Sequence, residues 1–167
     1  MSASVPPRLP VRAPLPRVWP GYLIGLAFIL IASGEMIVDR TAAEQETLLT
    51  YVTWLVGLAY WLFCIHRFHR VLRESTGGAY PISPARAAGF HLIPFYNLYW
   101  LFRWTNAAAA LVNARISGAF MRRGWTGGLL LAGFVLARFD AGLGLIGLFT
   151  VAQLIRRDIR RATEAPT

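Results

Sequence analysis

The sequence predicts an all-α, polytopic membrane protein with four transmembrane helices, the third short and interrupted by proline. Three observations lead there. Of the 167 residues, 56% are hydrophobic and 15% charged, with a mean hydropathy of +0.47, whereas soluble domains run at about 45–50% apolar and about 25% charged. Four apolar runs approach the roughly 20 residues that a helical crossing requires. Most of the basic residues flank those runs rather than interrupting them, Arg138 being the clearest exception.

All 17 basic residues are arginine, set against 8 acids for a formal net charge of +9. Arginine without lysine, beside abundant alanine, glycine and proline, points to a GC-rich bacterial genome. Such a charge in a soluble chain would suggest nucleic acid. Here the arginines border apolar runs, where they orient helices and meet anionic lipid headgroups, so no nucleic-acid partner is expected. The single cysteine, Cys64, lies inside an apolar run and excludes an intramolecular disulfide.

Residues 1–18 contain five of the ten prolines, three arginines and no acid, and are expected to form a cytoplasmic leader. Residues 19–155 would be the transmembrane domain. Its first span, Trp19 to Val38, reads as a retained anchor and carries Gly21 and Gly25 as a small-xxx-small packing face. The acidic stretch Asp39 to Thr47 reads as an outside loop. A second span, Leu48 to Ile65, ends in the basic run His66 to Arg73. Gly77-Gly78 and the Pro81–Pro84 segment break the chain. The third span, Ala85 to Phe102, contains Pro94 and would kink or re-enter. From Arg103 to Gly124 an Ala-rich helix is expected, with Arg115 and Arg122 close to the apolar stripe of Trp104, Leu111 and Ala119. The fourth span, Trp125 to Ile155, includes Gly144 and Gly147 as helix-packing residues, and residues 156–167 form a basic tail.

Four spans place eleven arginines inside and five outside, so both termini are expected in the cytoplasm of a bacterium. One conflict accompanies this topology. Arg103, Arg115, Arg122 and Arg123 fall together on the disfavoured outer side.

Glu35, Arg138 and Asp140 lie within spans, where a central charge costs roughly 2.5–3.5 kcal/mol. Arg138 and Asp140, two residues apart, do not share a helical face, so Arg138 pairs more readily with Glu35. Such a pair would fix helix register or, less economically, serve a proton or ion path. Arg138 to Gly142 could instead be a break between half-helices, with both charges in water. His66 and His91 reach similar depth from the same membrane side, and neutral imidazoles there could be axial ligands to haem or bacteriochlorophyll. No phosphate-binding loop, nucleophile elbow, zinc motif or paired carboxylates appear, so no catalytic residue and no metal site are expected.

The segment Ser83 to Trp100, with its Ser-Pro turn and its Pro94-Phe95-Tyr96-Asn97-Leu98 core, resembles an uncharacterised bacterial family of four-helix membrane proteins. That resemblance covers about fifty residues and implies a four-helix membrane fold without an assigned reaction. The Asn97 side chain is expected to satisfy the carbonyl freed by Pro94 or a neighbouring helix. Together these features predict a small, non-enzymatic accessory or scaffolding subunit that docks other integral membrane proteins. Haem- or bacteriochlorophyll-binding and a small transporter or proton channel are the alternatives.

Overall fold

In the computed structural model, residues 13–35, 43–115 and 121–164 are described, with the side chains of 34, 35 and 43–47 left out. These residues form α1 (Trp19–Glu35), α2 (Ala43–Ser75), α3 (Pro84–Gly89), a 3₁₀ turn (Phe90–Leu92), α4 (Tyr96–Arg115), α5 (Trp125–Phe139) and α6 (Ala141–Glu164). Among the described residues there is no strand. The acidic connection before residue 48 lies outside the described side chains.

Among the described residues, only α2 is both long and apolar enough to cross a membrane; α1 and α5 are shorter apolar helices. Four crossings are therefore not what the chain builds, and two breaks explain why. Asp140 is the first. It takes an extended conformation after α5, and its Oδ1 accepts the Leu143 N–H at 2.8 Å, so it caps the N-terminus of α6. Trp125 to Ile155 is consequently a hairpin, in which Gly144 sits so close to Ala137 that any side chain would collide with its backbone. Neither apolar stretch is long enough: the 15 residues of α5, like those of α6 from Ala141 to Ile155, reach only about 22 Å, against a hydrocarbon layer of roughly 30 Å.

Pro94 makes the second break. Proline disfavours helical backbone in the residue before it, and Ile93 is extended at φ −91°, ψ 112°. Phe95 follows at φ 61°, and Tyr96 restarts the helix. The segment from Ala85 to Phe102 is therefore a short helix, an elbow and the first turns of α4. Asn97 does not act as expected: its backbone N–H donates to Ile93 O at 3.0 Å, while its Oδ1 is buried without a partner among the described residues.

α2 runs ten residues beyond Ile65 because its pattern changes there. Phe68, His69, Val71 and Leu72 are buried while Arg70 and Arg73 remain exposed, a one-sided pattern that suits an amphipathic helix. α6 changes likewise, burying Ile155, Ile159 and Ala162 and turning Arg157, Arg160 and Arg161 outward. α6 is central and touches α1, α2, α4 and α5. Leu145 meets Gly57, and Phe149 meets Trp61, so α2 and α6 run parallel. Gly21 abuts Phe149, and Gly25 lies against Ile146 and Gly142, so α1 runs the other way. Gly127 approaches Phe102, and Asn106 accepts the Gly124 N–H at 2.7 Å, which sets α4 antiparallel to α5.

Both described ends of the chain lie at one end of this bundle. The Ala13 N–H donates to Glu74 Oε2 at 2.7 Å near the close of α2, and α6 finishes pointing the same way. Residues 156–164 are a direct continuation of α6.

Candidate functional site

The arginines divide sharply. Arg115, at the close of α4, reaches Ser75 at the close of α2, and Arg86, Arg103 and Arg123 line one cleft nearby. Arg122, just before α5, lines a second cleft together with Arg157 and Asp158 of α6. The four arginines that four spans would strand on the far side thus join those of α2 and α6. The conflict disappears because α5 starts from the same end and α6 returns to it after the hairpin.

Arg138 and Asp140 occupy the exposed hairpin tip at the opposite end, the arrangement in which both meet solvent. Arg138 makes no ion pair among the described residues. The Glu35 side chain, and so its pairing with Arg138, lies outside the described residues.

Gly21 and Gly25 serve the crossing of α1 with α6, Gly144 the hairpin, and Gly147 faces Gly133 with its would-be Cβ 3.8 Å from the neighbouring Cα. These small faces are used up inside the bundle.

His66 is half-buried and lines a surface cleft with Arg70, Arg73 and Glu74. His91 is inside, in edge contact with Trp61 and tilted against Trp104, and Trp104 also packs on His69 at 5.3 Å between centroids. His91 Nδ1 lies 2.7 Å from Ala87 O. A carbonyl only accepts, so Nδ1 carries the hydrogen and Nε2 is left as an acceptor. Burial holds the His91 pKa down to about 4, against a partial rise from the Ala87 carbonyl.

His69, at 0% exposure, is the residue that sequence reasoning missed as the partner of this cluster. Its helical face was legible from its spacing, but its burial depends on Trp104 and Tyr80 arriving from distant elements. Both His69 nitrogens, His91 Nε2, the Nε1 of Trp61 and Trp104, and Tyr80 Oη are buried without a hydrogen-bond partner among the described residues. Burial also raises the Tyr80 pKa. Among the described residues no group of three or more His, Cys, Asp or Glu gathers as a metal site.

Comparison with protein-family models, curated proteins and solved structures gives no match to this chain.

Proposed function

We propose that this chain is a small, non-enzymatic integral membrane protein of a bacterial cytoplasmic membrane, anchored by α1 and α2, that serves as an accessory or scaffolding subunit. The observation that carries this is the bare outer face of α2. Tyr51, Val52, Leu55 and Val56 are 64%, 47%, 57% and 50% exposed. Only 22% of the most apolar window of α2 is buried. Leu23, Leu26 and Leu30 of α1 extend the same apolar band. Burying a side chain of this kind is worth about 1.5–3 kcal/mol, so lipid or another helix is its natural environment. In this arrangement the arginine-rich end of the bundle faces the cytoplasm. With the glycines engaged inside the bundle, docking falls to the large side chains of α2.

Three measurements test it. The chain should remain in membranes after alkaline carbonate extraction. Ser2→Cys and Thr167→Cys should be alkylated from the same side, with little background from the fully buried Cys64. A photo-crosslinking residue at Leu55 should give one discrete protein adduct in native membranes. Release by carbonate would end the membrane assignment, and adducts to lipid alone would end the accessory role.

One observation favours a second reading, a tetrapyrrole-binding subunit. Its support is that His91 is held through Nδ1 by a backbone carbonyl with Nε2 unpartnered, the way a metal-ligating histidine is oriented. A Soret or bacteriochlorophyll band that vanishes in His91→Ala would support it; a featureless spectrum of protein purified from native membranes would remove it.

A further inference from the structure

We infer that the cleft between α3, α4 as far as Ala110, and Arg123 just before α5 binds the headgroup phosphate of an anionic phospholipid. The cleft encloses about 740 Å³. Arg86 enters it from α3, Arg103 from α4 and Arg123 from just before α5, joined by Asn106. No acidic side chain lines it, and none of the three arginines makes an ion pair among the described residues. Three like charges gathered around one cavity repel one another unless an anion joins them. A phosphate suits them, because guanidinium donors match its oxygens in bidentate geometry.

The arginines are held in place. Asn113 holds the backbone of Met121, two residues before Arg123, with Nδ2 donating to Met121 O at 2.9 Å and Oδ1 accepting the Met121 N–H at 3.1 Å. Asn106 Oδ1 accepts the Gly124 N–H at 2.7 Å, directly beside Arg123. Arg86 follows the Ser83 cap, whose hydroxyl accepts the Arg86 N–H at 3.3 Å. A wall of packed rings from Phe90, Tyr96 and Trp100 closes the inner side.

The rim identifies the occupant as a lipid. Beside the cleft residues Phe90, Tyr96 and Tyr99 in sequence, the elbow leaves Leu92, Ile93, Phe95 and Leu98 exposed at 59%, 46%, 88% and 49%. Phe95 takes a positive φ of 61°, which a non-glycine residue adopts at a cost, and that backbone projects a bare ring outward. A polar head with an acyl tail would satisfy the arginines and the apolar elbow together. Free phosphate would satisfy only the arginines. This inference rests on the membrane assignment above, since it places the elbow at the bilayer surface.

The test uses the full chain in detergent, with native mass spectrometry to count bound lipid and phosphatidylglycerol and phosphatidylcholine as probes. Wild type should retain one phosphatidylglycerol and at least tenfold less phosphatidylcholine. Arg86→Gln/Arg103→Gln/Arg123→Gln should lose that lipid at least tenfold, and Arg103→Gln alone should weaken it severalfold if the triple variant fails to fold. A control with the same charge change elsewhere on that end, Arg70→Gln/Arg73→Gln/Arg160→Gln, should bind within twofold of wild type. Equal loss in the control would overturn the site in favour of diffuse surface charge, as would unchanged binding in the triple variant. Displacement of the lipid by inorganic phosphate at equal concentration would overturn the lipid assignment. Because binding is read in detergent, its failure is separable from failure of carbonate retention or of the Leu55 cross-link.

Discussion

Arg115 Nη2 donates to the backbone carbonyl of Ser75 at 2.7 Å, and both residues are buried. A single guanidinium thereby joins the last turn of α4 to the last turn of α2, 40 residues apart in sequence. It also explains why an arginine lies on an otherwise apolar stripe with Trp104, Ala108 and Val112.

Removing that contact should be expensive. Hydrogen bonds from charged groups contribute about 1.5–3 kcal/mol, and Arg115→Ala also abandons a buried carbonyl. Its melting temperature in detergent should drop by several degrees, with Arg115→Lys intermediate. An unchanged melting temperature would mean that the two helix ends are held by other contacts.

The hairpin predicts a contrast between two glycines. A methyl at position 144 would collide with Ala137, whereas at 128 it would meet open space. Gly144→Ala should cost about 1–3 kcal/mol, while Gly128→Ala, in a helix interior, should be neutral or stabilise by up to about 1 kcal/mol. Chemical unfolding of the two variants checks this, and equal effects would refute the close approach.

Asp140 should matter as a cap. Asp140→Ala should lose about 1 kcal/mol, and Asp140→Asn, which keeps the acceptor, much less. Arg138→Gln, at the same exposed tip, should leave stability within about 0.5 kcal/mol of wild type. Thermal denaturation separates these cases: a loss in Arg138→Gln as large as in Asp140→Ala would point to an ion pair.

His91 gives a pH dependence of definite sign. Its folded pKa, about 4, lies below the ordinary value of 6.5, so the unfolded chain binds the proton more tightly. The stabilisation is complete above pH 6.5 and is lost as pH falls toward 4, a total on the order of 3 kcal/mol. Unfolding across that window should show a slope that flattens in His91→Gln. An identical slope in the variant would place the titration elsewhere.

Much of the architecture follows from local rules. The cap at Asp140 could be read from an aspartate set before Ala141-Gly142-Leu143, and the elbow from the backbone restriction Pro94 imposes on Ile93. Counting apolar residues hid both, because a run of greasy side chains looks alike whether it is one long helix or two arms folded together. The amphipathic extension of α2 was present in the spacing of Phe68, Val71 and Leu72, masked by the arginines between them.

By itself the sequence determined helical character, the apolar bulk and the placing of most arginines at the ends of apolar runs, since each depends on composition and near-neighbour spacing. Tertiary structure alone decided that Arg86, Arg103 and Arg123 share one cleft, that His69 rather than His66 packs on the same tryptophan as His91, and that Gly21, Gly25 and Gly144 are enclosed. Those outcomes depend on which helices run parallel and where each one stops. A cap, a proline and a glycine contact set those limits, and only packing across tens of residues brings their consequences together.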